Sequence, residues 1–113
     1  MGARGGDAEN LAAAFLERAG LEVVARNYRC RFGEIDLIAR DGKTLVFVEV
    51  RMRTSDRFGG AAASITRAKR AKLSRAARHY LAGVARAPAC RFDALLVNGN
   101  DDSIAWLKNA FAA

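Results

Sequence analysis

The chain has 113 residues, about half of them apolar, with a single proline and charges mixed along its length. That bounds it to one domain with one core and excludes a disordered, fibrous or collagen-like architecture. Nineteen Lys and Arg against twelve Asp and Glu leave a formal charge of +7, a balance that draws polyanions, nucleic acid first and anionic membrane second, unless it serves solubility alone.

In chain order, "MGARGG" reads as a flexible start. Asp7 is then placed to cap a helix over "DAENLAAAFLERAG", in which Leu11, Ala12, Phe15, Leu16 and Ala19 keep helical spacing and Gly20 is the stop. Glu9 falls in the first turn, where an acid suits the helix dipole. Acids and arginines in residues 1–20 leave no apolar signal-peptide core, and no run approaches the roughly 20 apolar residues that a membrane span needs. Cys30 and Cys90 lie far apart with no Cys or His at metal-ligand spacing, so reduced thiols in a cytoplasmic protein are expected rather than a zinc site or a disulfide framework.

A β-rich segment, "EVVARNYRC", follows the helix, with Arg26, Tyr28 and Cys30 alternating against Asn27, Arg29 and Arg31. Gly33 allows a bend or bulge before "EIDLIAR". Asp41-Gly42 is a strong two-residue hairpin signal, and "TLVFVEVRMR" is the return strand, its "LVFV" apolar on both faces as in a central strand. After the loop "TSDRFGGAAAS", Ser64 is placed to cap a second helix to about Gly83. Past Pro88 come two strands, "RFDALLV" and "SIAWLKNAF", joined by "NGNDD". The order αβββαββ reads as a mixed α/β or α+β sandwich occupying the whole chain.

If Asp41-Gly42 is the turn, Arg40 faces Lys43, Asp36 lies opposite Phe47 and Glu34 opposite Glu49. Glu34, Asp36, Glu49 and Arg51 then share one face, and Asp36 and Glu49 are diagonal neighbours with Cα atoms about 7–8 Å apart. Two converging carboxylates repel unless a cation lies between them. A divalent cation, Mg²⁺ or Mn²⁺, answers that need with hard oxygen ligands, and Arg51 beside it can neutralise charge on a phosphate. The other reading is an ion-pair network in which Arg51 neutralises the acids directly.

The full run "GGDAENLAAAFLERAGLEVVARNYRCRFGEIDLIARDGKTLVFVEVRMR", with "FG", "ITRAKRAKL", "RFDALLV" and "NAF" after it, resembles the YraN family of small bacterial proteins. That family is placed by fold with the PD-(D/E)xK nucleases, near Holliday-junction resolvases and restriction-endonuclease-like domains. The resemblance implies a central mixed five-stranded sheet flanked by helices and a metal-dependent endonuclease site. On it, Asp36 and Glu49 hold the metal, Glu9 matches a helix-borne glutamate that assists, and Arg51 stands where the signature has lysine. Arginine stays charged and presents a planar fork, so it can stabilise a transition state but is a poor proton acceptor. The alternatives are therefore a degenerate nucleic-acid-binding domain of the same fold and a protein-interaction module.

The second helix carries Arg67, Lys69, Arg70, Lys72, Arg75 and Arg78, and Arg53 and Arg57 extend from the return strand. Arg53, Arg57, Arg67, Lys69, Arg70 and Lys72 form the expected phosphate-binding rim. Such a rim reads DNA shape rather than sequence, as no base-reading module is present. Lys69 falls on the apolar side, in line with Leu73, Ala76 and Tyr80, where an ammonium is expected to snorkel to solvent rather than enter a cleft. His79 reads as a surface histidine, and Trp106 and Phe111 as core. A homodimer follows from resolvase analogy alone.

Overall fold

The computed structural model describes residues 5–53 and 65–111, with Gly5, Gly6 and Arg53 as backbone only. Residues 1–4, the loop with Arg57, and the side chain of Arg53 lie outside it; Gly5 and Gly6, expected in a flexible start, open the first helix, and the second helix is capped by Thr66 rather than by Ser64. Two helices and five strands run in the expected order: α1 Gly5–Arg18, β1 Glu22–Cys30, β2 Gly33–Asp41, β3 Thr44–Arg53, α2 Arg67–Leu81, β4 Cys90–Asn98 and β5 Ile104–Phe111. They build one mixed sheet in the order β1-β2-β3-β4-β5. Only β3 and β4 pair in parallel; the crossover through α2 makes that geometry possible, and the other pairs are antiparallel.

Apolar residues on both sides of the central strands require a helix on each face. Val46 and Val48 of β3, with Leu37 and Ala39 of β2 and Leu95 of β4, pack under Ala12, Ala13 and Leu16 of α1. Leu45 and Phe47 point the other way, with Ile38, Phe92, Ala94 and Leu96, under Leu73, Ala76 and Ala77 of α2. Each such fully buried Leu, Val, Ile or Phe side chain is worth about 1.5–3 kcal/mol. The small alanines let the α1 backbone come close to the sheet. Phe111 is buried as expected, whereas Trp106 is half-buried at the edge of the α1-side cluster.

α1 ends as the sequence predicts. Gly20 takes φ +97, Gly20 N–H donates to the Glu17 carbonyl and Leu21 N–H to the Leu16 carbonyl, which is the paired bonding of a Schellman stop. Leu16 and Leu21 share a buried cluster, the apolar contact that accompanies such a stop. The start of α1 differs from expectation, because Asp7 lies inside the first turn rather than at the cap. α2 is capped by Thr66, whose hydroxyl accepts from Lys69 N–H at 3.2 Å, and it stops at Leu81, two residues short of Gly83.

The β2–β3 turn is corrected by one position. Asp41 pairs with Thr44 and Ile38 with Phe47, so the turn residues are Gly42 and Lys43. Gly42 has φ +60 and Lys43 is not in the positive region, which suits a turn with glycine at its first central position. Asp41 stays in the strand, where Arg91 of β4 holds its carboxylate at 2.9 Å. The shift moves every pair by two, so side-chain faces survive while opposite partners change. Gly33 carries φ +146 within the β1–β2 hairpin, but the irregularity in that ladder lies between Val23 and Ala25.

One acid in the sheet is wholly structural. Asp93 is 0% exposed and accepts four hydrogen bonds: from Arg91 Nε to both oxygens at 3.0 and 3.2 Å, from Trp106 Nε1 at 2.9 Å and from Asn109 N–H at 2.9 Å. It closes the irregularity between Phe92 and Ala94 in the β4–β5 ladder, opposite Asn109 with φ +56. Asp93→Ala removes one partner of a buried pair and leaves Arg91 and the indole N–H unmatched. A loss of about 3–5 kcal/mol is expected by urea unfolding, and a loss below about 1 kcal/mol would show that the network is dispensable.

Candidate metal and nucleic-acid site

β2 and β3 pair from the turn as far as Leu37 and Val48. Beyond that point the side chain of Asp36 replaces the ladder, its Oδ2 accepting Val50 N–H at 2.8 Å. The facial alternation of β2 changes phase at the same place. Leu37 and Ala39 belong to the α1-side cluster, but Ile35 joins Ile38 in the α2-side cluster. Asp36 thus sits where the sheet opens, with its carboxylate fixed by a backbone amide.

Glu49, on the parting strand, is buried at 4% exposure. Its Oε2 lies 3.2 Å from Lys69 Nζ and 3.9 Å from an Arg51 Nη. The first lacks the direction of a hydrogen bond and the second is too long for one, so among the described residues this buried oxygen keeps unfilled lone pairs and Arg51 Nε is likewise unmatched. The expectation that Lys69 snorkels is overturned. α2 starts above the open end of the sheet, and the ammonium turns inward because a buried carboxylate lies within reach.

Glu9 and Glu34 complete the acidic group. One carboxylate oxygen from each of Glu9, Glu34 and Asp36 lies within 4.8 Å of the others. Glu9 is aimed from α1 by the β1 edge: Asn27, at φ +50, hydrogen-bonds its carboxylate, and the neighbouring Arg26 donates to Asn10 Oδ1 at 2.7 Å. Glu34 is tethered more loosely by Arg29 at 3.6 Å. Glu34 is the site residue that sequence reasoning passed over. Its signal was the two-residue spacing to Asp36, read for its face but not for its ligand atoms.

Gly33, Glu34, Asp36, Glu49, Lys69, Lys72 and Leu73 line a cleft of about 220 Å³. Burial pushes the Asp36 carboxyl up to about 7. A hydrogen bond with Glu49 and that group's charge add to the rise, while the Val50 amide and the Lys69 ammonium oppose it. Glu9 is also raised, first by burial and then by the charge of Asp36, against the pull of the Asn27 hydrogen bond. Acids that hold on to protons this way are short of positive charge. Glu9, Glu34 and Asp36, whose oxygens converge, fit a hard divalent cation; Glu49 lies outside that group, meets Asp36 by a hydrogen bond and keeps a buried oxygen orphaned among the described residues.

Of the expected phosphate contacts, Lys69 and Lys72 reach the cleft. Arg67 is exposed at the start of α2. Arg70 is turned away, its Nε donating to the Ile65 carbonyl at 3.1 Å and its guanidinium lying 5.6 Å from the Phe111 ring centre.

The sequence pattern of the uncharacterised protein family UPF0102 matches residues 8–97. A UPF0102 protein of Nitrosomonas europaea is 62% identical over 111 residues, covering 97% of this chain and 94% of its own. Another, from Nitrosospira multiformis, is 60% identical, covering 96% and 92%. A third, from Dechloromonas aromatica, is 57% identical, covering 98% and 90%.

A carboxyl whose pKa rises on folding, from 3.8 to about 7 for Asp36, contributes stability that is full below the lower value and is lost as pH climbs through the upper one. Metal-free protein should therefore melt at a lower temperature at about pH 8 than at about pH 5. Asp36→Asn, which carries no charge at either pH, should flatten that slope. Mn²⁺ should raise the melting temperature of the wild type far more at the higher pH, because ligation needs ionised carboxylates. An Mn²⁺ shift that Asp36→Asn retains in full would remove Asp36 from the site.

Proposed function

This chain belongs to the uncharacterised protein family UPF0102, and on that premise we propose that it is a divalent-cation-dependent endonuclease acting on DNA phosphodiesters by structure rather than sequence. The observation that carries the reading is the meeting of Asp36, Glu49 and Lys69 in one cleft where β2 and β3 part. The resemblance to PD-(D/E)xK nucleases points the same way, since it assigns the first two of these residues to the metal.

Asp36 and Glu49 would hold the ion, with Glu9 and Glu34 completing the donors from the α1 side. When bound, Mg²⁺ or Mn²⁺ supplies Lewis-acid activation and neutralises charge on the phosphate. The protein side chains do the rest. The Val50 amide fixes the Asp36 oxygen before substrate arrives, so no reorganisation is needed at the reaction. Lys69, paired here with Glu49 at 3.2 Å, would be free to donate to a phosphate oxygen where Glu49 holds the ion. Arg51, at the position of the signature lysine, presents a fork to the same region. Lys69 is the closer of the two cations and reaches the cleft from α2, so the charge that the signature takes from β3 is supplied here across the cleft. Lys72 lies at the mouth and contacts the DNA backbone without reading bases.

The Lys69–Glu49 ion pair also favours a second reading, a non-catalytic nucleic-acid-binding domain, because an ammonium on Glu49 competes with the metal. One set of assays separates the two. Branched and linear DNA are incubated with Mn²⁺ and the wild type, Asp36→Asn, Lys69→Met or Arg51→Lys. The nuclease reading expects cleavage by the wild type and a loss of about 10²–10³-fold in Asp36→Asn and Lys69→Met, with a smaller change in Arg51→Lys. Cleavage that survives in Asp36→Asn would sink the assigned site. Binding without cleavage in the wild type, with cleavage gained in Arg51→Lys, would establish the second reading.

A further inference from the structure

An aromatic group beside the cleft takes no part in the chemistry above. The β1–β2 hairpin turns through Arg31 and Phe32, between the paired Cys30 and Gly33. Hairpin tips ordinarily carry Gly, Asn or Asp; here the tip carries a phenylalanine. Among the described residues, Phe32 packs against none of the buried clusters. Its ring meets His79 of α2 edge-on with centres 6.1 Å apart, and the Arg31 guanidinium lies 4.8 Å from its centre. Behind them the Tyr28 hydroxyl hydrogen-bonds His79 Nδ1, and Tyr28 meets Tyr80 edge-on at 5.2 Å. The imidazole is exposed, yet held from behind.

α2 connects this group to the carboxylates. Lys69, Lys72 and His79 follow one side of the helix at spacings of three and seven residues. Lys69 reaches Glu49, and Lys72 lines the cleft with its Cβ against Gly33, 3.7 Å from where a Cβ there would stand. His79 comes ten residues after Lys69, about 15 Å along the axis at 1.5 Å per residue. Arg29, Arg31, Arg75 and Arg78 are exposed around the path, and the nearby acid Glu34 is paired with Arg29. A chain of cations ending in aromatic faces is the chemistry that holds a single strand: phosphates on the cations, bases stacked on the rings.

We propose that Phe32 and His79, backed by Tyr28, form a stacking platform for unpaired bases, so that DNA on this side of the cleft is engaged as a single strand. This deepens the nuclease reading and rests on it for the direction of the strand. Every base has a π-face, so the platform selects unpaired structure without selecting sequence, whereas a blunt duplex offers only its backbone to the same cations.

The test compares labelled oligo-dT with a blunt hairpin duplex of equal length, by fluorescence anisotropy in EDTA, where no turnover occurs. Wild type, Phe32→Ala, Phe32→Trp and His79→Ala are measured. Phe32→Ala should weaken oligo-dT binding about tenfold and duplex binding by less than about twofold. Phe32→Trp should keep both, and His79→Ala should follow Phe32→Ala. Equal oligo-dT affinity in wild type and Phe32→Ala overturns the platform. Equal losses on both DNAs, or no oligo-dT binding by the wild type, overturn it as well. Mn²⁺-dependent cleavage reports separately. Cleavage that depends on Asp36, with oligo-dT binding unaltered by Phe32→Ala, discards the platform alone. The expected binding pattern without any such cleavage discards the nuclease reading and keeps the platform.

Discussion

The hydrogen bond from Val50 N–H to the Asp36 carboxylate is the interaction on which the arrangement turns. A sheet of this width would otherwise continue its ladder past Leu37 and Val48. By taking a main-chain amide, a side chain ends the pairing without leaving that donor unsatisfied. The strands then separate, and the separation makes room for a cleft between them and α2. It also draws Glu49 beside Asp36, where burial and mutual repulsion hold the Asp36 proton. The cations around the cleft are answers to that crowding: Lys69 from α2 and Arg51 from the same strand as Glu49.

The protein contains a second buried acid against which this one can be judged. Asp93 and Glu49 are both almost fully buried, on neighbouring parallel strands. Asp93 has its lone pairs filled by a guanidinium, an indole and a main-chain amide, as expected of an acid whose purpose is to hold a strand irregularity closed. Glu49 has an oxygen that no donor among the described residues addresses squarely. Satisfied networks rigidify, and unsatisfied ones carry a standing cost that is tolerated where a ligand relieves it. The contrast is internal to one sheet, so it does not depend on any likeness to other proteins.

α2 joins the parts. Its inner face closes the core, its first turns deliver Lys69 and Lys72 to the cleft, and its last turns carry His79 to the hairpin tip. The crossover position of α2, between the two parallel strands, places all three on the side where β2 and β3 diverge. A helix there packs the core and lines the cleft with cations together, because adjoining sides of the same 3.6-residue period carry the two sets of side chains.

Periodicity and turn chemistry sufficed for the order of elements, the Gly20 stop and the double-sided β3. These are local properties, and within the paired stretch the face assignment survived a mistaken turn because the error was an even number of residues. Asp36 meets Glu49 for another reason, since the ladder ends before it and the alternation of β2 changes phase there. Asp41-Gly42 misled because two placements of one glycine satisfy a two-residue turn; the ion pair from Arg91, far along the chain, selects between them. The inward turn of Lys69 and the ligand position of Glu34 escaped the sequence for a related reason. A lysine on an apolar helix side turns inward only if a buried carboxylate waits there, and Glu34 becomes a ligand candidate only once α1 brings Glu9 beside it. The sequence by itself determined the order of helices and strands and that two acids lie near one another on a hairpin. Tertiary structure alone decided which charges meet, because electrostatic partners are chosen by distance in space and not by spacing along the chain.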